Sequence, residues 1–422
     1  MSAREPYEEA AAARGPLAGL LVVDLATIFA GPSACRHLGD FGAEVIKIER
    51  PGSGDGARQL GARDGDDSFY WRIVGRNKRP IELDLKSPEG REVLLALVRR
   101  ADVLVENFRP GTLERLGLDP EEVLLRENPG LVVLRVTGFG QDGPYAGRAG
   151  FGTIAEGMST LAHMTGQPDG PPTLPPIALA DEVTGLLGAF AVLAALRYRD
   201  ATGRGQVIDA NLLESLVDII GPGPAVYHRT GLVDGRYGSR LPWSAPRNVY
   251  RCADGWIALS GSANEVAMRV FEAIGRPELC TDPRFATNAA RLEHVEELDA
   301  IVEAWTSARP VADVVALLSE AGAAVGPIYD TAQLVRDDHV RARGMFVEVE
   351  SPDGAGPVLQ AAPTPRLSLT PGQVRHAGLA RGACTDEVLG ELGYTPTEIA
   401  ALRSRQAIGG SRPAPRLPAH VS

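Results

Sequence analysis

Asp181 is the residue of this chain best placed to do chemistry. It follows the apolar segment Pro176-Ile177-Ala178-Leu179-Ala180 and directly precedes a long apolar stretch of helical character. One reading is a helix N-cap, a position Asp favours because its carboxylate accepts from the orphan N–H groups of the first turn. The other reading uses the same place: the macrodipole at a helix N-terminus keeps a carboxylate ionised in a dry setting. An ionised, desolvated carboxylate can attack an acyl group and form a covalent intermediate. The two roles are compatible, and the residues alone leave both open. Glu182 is adjacent but on a helix points elsewhere, which makes it the weaker candidate.

Basic residues recur around the strand-like segments. Lys47 and Arg50 follow the second, Lys78 and Arg79 precede the third, Lys86 follows it, and Arg109 and Arg115 follow the fourth. In an open α/β sheet, ligands lie beyond the strand carboxyl ends, where Arg and Lys from several loops can converge on phosphates. Phe108, next to Asn107, could stack on an adenine. Spacing alone leaves scattered solvated charge as the other reading. A βαβ opening first suggests a nicotinamide dinucleotide, with Glu49 where a ribose-binding acid belongs. The turn after the first strand reads ATIFAGPSACRHLG, with Gly31-Pro32 where G-x-G-x-x-G is needed, so that reading fails at its phosphate cradle. None of the seven histidines lies in a G-x-S-x-G or comparable context. Cys35, Cys252, Cys280 and Cys384 are far apart and form no CxxC. That pattern excludes a zinc ribbon or disulfide scaffold and points to a reducing compartment, the cytoplasm.

The elements that must position these residues alternate in type. Leu20–Leu25, Ala43–Ile48, Pro80–Leu85, Asp102–Glu106, Leu131–Val136 and Gln206–Asp209 read as strands. Ser87-Pro88-Glu89 opens a helix reaching about Arg100, and a long helix is expected over Glu182–Tyr198. This is an α/β pattern with a largely parallel, helix-covered sheet. The Gly221–Pro224 cluster marks a domain exit. From Asn248 the texture changes to a hairpin turning at Asp254-Gly255, followed by helices near 264–274, 293–306 and 310–320, a small α+β domain.

With 422 residues, two or three domains are expected. The net charge of −11 argues against a nucleic-acid or anionic-membrane surface. It does not exclude a small polyanion, which responds to local charge. The apolar run Val183–Leu196, flanked by charges, falls short of the roughly 20 residues a membrane helix needs. Three glutamates precede any apolar run, so no secretory signal is expected.

Several stretches together resemble the class III (CaiB/BaiF-type) CoA-transferases, which include formyl-CoA and carnitine CoA-transferases, with α-methylacyl-CoA racemase as a relative. They are LAGLLVVDLATIFAGPSACRHLGDFGAEVIKIERPGSGD (17–55), NKRPIELDLKSPEG (77–90), ADVLVENFRPGTLERLGL (101–118), GFGQDGPYAGRAGF (138–151), LADEVTGLLGAFAVLAALRYRDATGRGQ (179–206) and HVRARGMFVEV (339–349). The resemblance implies a Rossmann-like large domain over 1–222, completed by a return segment over 336–408. It also implies a small domain at 248–335 after a linker at 223–247, and an interlocked homodimer. Residues 409–422, rich in Pro, Ser and Arg, are expected to be a disordered tail. Asp181 matches the family's catalytic aspartate. CoA contacts carry over to Phe29, Ala30, Arg50, Leu83, Asp84, Leu85, Lys86, Asn107, Phe108, Arg109, Arg115, Ala149, Gly150, Phe151 and Gly152. The implied partners are an acyl-CoA and a carboxylic acid, with CoA as substrate and no permanently bound cofactor or metal.

Two departures bear on the activity. The racemase relatives place a histidine where this chain has Phe151, which has no exchangeable proton, so racemisation is disfavoured against CoA transfer. The glycine-rich lid of formyl-CoA transferase has no counterpart in LPWSAPRN (241–248), which sets formate/oxalate specificity aside. A non-catalytic CoA-binding protein would keep the basic residues but would not need Asp181.

Overall fold

The structure is a computed structural model that describes residues 13, 15–352, 354 and 356–410. The N-terminal stretch read for a secretory signal and the tail from residue 411 lie outside these described residues. The chain groups into one unit of Met1–Ser159, Pro175–Gly221 and Arg343–Ser422, and a second of Thr160–Leu174 and Pro222–Ala342. Segment 223–247, expected as a linker, carries a helix at Gly223–Thr230 and groups with the second unit.

In the first unit six strands form one sheet: β1 (Leu21–Asp24), β2 (Glu44–Glu49), β3 (Lys78–Glu82), β4 (Val103–Glu106), β5 (Val132–Thr137) and β6 (Gln206–Asn211). Their order is β3-β2-β1-β4-β5-β6 and every neighbouring pair is parallel. Val103 to Glu106 and Val132 to Val136 are buried without a break, as expected for strands covered on both faces. The chain runs outward from β1 through β2 to β3, then returns to build β4 on the other side of β1. That reversal opens a crevice beyond the carboxyl ends of β1 and β4.

Helix α1 (Ala30–Asp40) follows β1. Helix α2 (Pro88–Val98) is capped as its sequence suggests, Ser87 Oγ accepting from Gly90 N at 2.9 Å. Helices α3 (Gly152–Met158), α4 (Leu179–Thr202) and α5 (Leu212–Ile219) follow. At 24 residues α4 outruns the expected Glu182–Tyr198, and among the described residues it is the one helix long and apolar enough to cross a membrane. Its inner face is that of a core helix. A Cβ on Gly185 would stand 2.9 Å from the Ala30 carbonyl oxygen, and one on Gly188 3.0 Å from the Leu134 side chain. The small residues let α4 lie directly on α1 and β5. Its other face exposes Leu186, Phe190 and Leu193, one helical stripe with Phe190 70% exposed. Phe151, Ile154 and Met158 of α3 are exposed as well.

The far end of the chain packs back onto this unit. Leu83 bridges to Ile408, and Asp84 N donates to Ala407 O at 2.9 Å. The Gly378 carbonyl accepts from Arg72 Nη1 at 2.9 Å, and the Leu379 carbonyl accepts from Trp71 Nε1 at 2.9 Å and Arg58 Nη1 at 3.1 Å. Val388, Leu389, Ile399 and Leu402 share one apolar core with Ile81, Leu94 and Leu104.

The second unit holds an antiparallel sheet in the order 324–327, 256–260, 247–251, with the expected hairpin turn closed by Cys252 N donating to Gly255 O at 2.8 Å. Helices Asn264–Ala273, Val295–Thr306 and Val311–Glu320 accompany it. Tyr250, Ile257, Phe271, Leu298, Val302 and Leu318 form a core of its own.

Candidate active site

Asp181 is the third residue of α4. The N-cap position belongs to Ala178, which makes no side-chain cap, so Asp181 is not the cap of its helix. Its carboxyl group lies where two helix starts meet, because the Ala30 N–H at the first residue of α1 donates toward it. The third wall is the start of α3, where a Cβ on Gly152 would come within 2.5 Å of Asp181 Oδ2. Glycine at 152 is therefore a condition for this carboxylate to sit where it does.

Burial pushes the Asp181 carboxyl up to about 6, and the charges of Glu156 and Glu182 add to that rise. The N–H groups of Ala30 and of Asp181 itself pull the other way. Glu182 is turned from Asp181 toward α1, where Ser33 Oγ donates to its Oε2 at 2.7 Å and Arg36 Nη2 lies 3.4 Å away. Glu156 is buried, and its Oε1 accepts from Ala180 N at 3.2 Å. Tyr70 packs edge-on against Phe29, ring centroids 4.8 Å apart. Burial, then the charges of Glu182 and Asp181, raise its hydroxyl, which stays a protonated donor at neutral pH.

The turn between β1 and α1 is held by ions beneath it. Lys47 Nζ lies 3.0 Å from Asp55 Oδ2 and 3.6 Å from Asp24 Oδ1, and Lys78 Nζ is 2.8 Å from Asp24 Oδ2. Asp55 Oδ1 accepts from Ile28 N at 3.0 Å. Ile28 has φ +69°, a left-handed backbone that costs a β-branched residue on the order of 1–3 kcal/mol and persists only where its surroundings fix it. Lys47 and Lys78, expected among the phosphate-facing charges, are thus core ion-pair partners. Arg79 is committed to Glu391 at 2.7 Å and Glu387 at 3.0 Å.

Of the other residues singled out from sequence, Arg50, Lys86 and Arg109 are exposed in the loops after β2, β3 and β4, and Arg115 is exposed at the end of the short helix Thr112–Arg115. Arg115 Nη2 donates to Thr112 Oγ1 at 2.8 Å. Asn107 spends its side chain across the crevice, accepting from Thr27 N and donating to Thr27 O, both at 2.8 Å. It ties the loop after β4 to the loop after β1. Phe108 packs on the core through a partly buried ring. Leu83 is buried, while Asp84 and Leu85 are half-buried and Lys86 N donates to Asp84 Oδ1 at 3.0 Å. Ala149 and Phe151 are exposed, and Gly150 crosses Gly138 so closely that a Cβ on it would lie 2.6 Å from the Gly138 Cα. Among the described residues no cluster of three His, Cys, Asp or Glu could hold a metal ion. Glu156 and Tyr70 have no signature in the sequence, since each lies in a short segment where it reads as one more polar or packing residue.

Known proteins are similar to this one over most of its length. The model of CoA-transferase family III matches residues 17–381. The succinyl-CoA–D-citramalate CoA-transferase of Chloroflexus aurantiacus is 41% identical over 93% of this chain and 98% of its own length. The succinyl-CoA:glutarate CoA-transferase of Mus musculus is 35% identical over 84% of this chain and 81% of its own. A solved CaiB/BaiF family protein from Brucella suis superimposes with a TM-score of 0.80 and 34% identity, covering 90% of this chain and all of that one. With a carboxylate poised at paired helix starts and this likeness over most of the chain, the chain belongs to CoA-transferase family III and is a CoA-transferase.

Proposed function

We propose that the enzyme moves CoA from succinyl-CoA to a second dicarboxylic acid, with Asp181 as the covalent nucleophile. The observation that carries the nucleophile is the partly desolvated Asp181 carboxyl against Gly152 and the Ala30 N–H. An Asp181 oxygen attacks the thioester carbonyl, the C–S bond breaks, and CoA leaves as thiolate from an acyl-aspartyl anhydride. The thiolate attacks the Asp181 carbonyl carbon, expelling the donor acid and leaving an aspartyl-CoA thioester. The acceptor carboxylate then attacks this thioester to form a second anhydride. The thiolate takes the acceptor's acyl group from it, and the Asp181 carboxylate returns. The Ala30 N–H is the donor at hand for the oxyanion that develops at each step. Water must be kept out, because either intermediate would otherwise hydrolyse.

The choice of substrate rests on the relatives, which are named for succinyl-CoA with D-citramalate, L-malate or glutarate, and in one case for acetyl-CoA with oxalate. Exposed Arg50, Lys86, Arg109 and Arg115 around the crevice supply positive charge for the CoA phosphates. A second copy of the chain is the partner we assign to the apolar faces of α3 and α4. Three buried free cysteines suit the reducing cytoplasm. The test pairs succinyl-CoA and acetyl-CoA with citramalate, malate, glutarate and oxalate, and follows new CoA esters by mass spectrometry. Hydroxylamine added to enzyme and donor should convert Asp181 alone to a hydroxamate. Full turnover by Asp181→Ala would overturn the mechanism.

A further inference from the structure

Glu156 lies one turn beyond Gly152 on α3, so the two share the face that meets the start of α4. It is 3% exposed, and its Oε1 accepts from Ala180 N, the residue before Asp181. Helix α4 has no side-chain cap of its own. The acceptor that one of its orphan N–H groups needs is thus supplied by a neighbouring helix. We propose that Glu156 is a positioning residue that fixes the first turn of α4 and, through its charge, drives Asp181 from free carboxylate into the CoA-bound form. This rests on Asp181 being the nucleophile.

The electrostatics follow from charge count. In the free enzyme the buried Glu156 carboxylate, bonded to the residue before Asp181, acts on the Asp181 carboxylate through a setting poor in water, where like charges repel strongly. The other groups whose charge or dipole reaches Asp181 are Glu182, turned away and tied to Ser33 and Arg36, and the neutral hydroxyl of Tyr70. When donor acyl-CoA converts Asp181 to its thioester, the negative charge leaves with the expelled donor carboxylate. The repulsion ends at that step, so Glu156 raises the free carboxylate in energy and leaves the thioester untouched. The same charge contributes to the upward displacement of the Asp181 carboxyl.

Glu156→Gln keeps the hydrogen-bond acceptor and removes the charge, whereas Glu156→Leu removes both. With Glu156→Gln, the acid limb of kcat/KM should move down by about one pH unit. The fraction of enzyme recovered as CoA thioester after succinyl-CoA alone should fall about tenfold. Glu156→Leu should lower kcat across the whole pH range, and Gln should restore most of it. A Gln variant with the parent's acid limb and thioester fraction overturns the proposal, provided Asp181→Ala is inactive. An active Asp181→Ala would instead show that the nucleophile was misassigned, whatever the Glu156 variants do.

Discussion

The Asp181 carboxyl is a burden on the folded state above the pH at which it ionises. In the unfolded chain it ionises from about 4 upward, whereas in the fold burial and its acidic neighbours hold it protonated to about 6. An acid raised by folding contributes stability below its unfolded pKa, and that contribution is lost as pH rises through the folded value. Asp181→Asn should therefore be more stable than the parent at pH 8, by about 2 kcal/mol in urea unfolding, with the gap closing as pH falls from about 6 to about 4. A gap that does not change with pH would sink this account. If Asp181 is the proposed nucleophile, parent activity should fall on acidification through about 6 as its carboxylate is protonated. Asp181 was legible from sequence because an acid between an apolar segment and an apolar helix is conspicuous. Glu156 was not, since a seven-residue helix has no stripe long enough to betray which side is buried.

Helix α1 and helix α4 meet at Gly185, and the closeness of that meeting sets the position of Ala30. Gly185→Ala places a methyl group against the Ala30 carbonyl, so the two helix starts must part. It should cost about 1–3 kcal/mol in stability and lower kcat more than it raises KM, because the Ala30 N–H is drawn off Asp181. Unchanged kcat in a folded Gly185→Ala enzyme would mean that the start of α1 takes no part in the reaction. Strand positions were readable to within a few residues, since short apolar runs bounded by turn residues leave little choice. The burial of Lys47 and Lys78 was hidden, because a lysine in a strand reads as a surface residue until its partner is known. Their shared partner Asp24 lies 23 residues from Lys47 and 54 from Lys78, and the parallel register of β1, β2 and β3 brings the three together under the Ile28 turn. For the same reason the clasp that the Asn107 side chain makes between two loops had no sign in the sequence.

At the scale of the whole molecule, the outward stripe of α4 is the surface on which the proposed homodimer can be tested. Phe190→Glu puts a charge in its middle without touching the core. Light scattering after size-exclusion chromatography should show a dimer for the parent and a monomer for this variant. A variant that stays dimeric would place the subunit contact elsewhere.

During synthesis, β1 leaves the ribosome long before residue 378 is made. Until then Arg58, Trp71 and Arg72 lack the Gly378 and Leu379 carbonyls that receive them, and Leu83 and Asp84 lack the strand-like partner at Ala407 and Ile408. The nascent first unit is therefore a sheet with open seams, its buried guanidinium and indole donors still without these acceptors. A chain ended before residue 378 by a stop codon or a protease would leave those seams open for good.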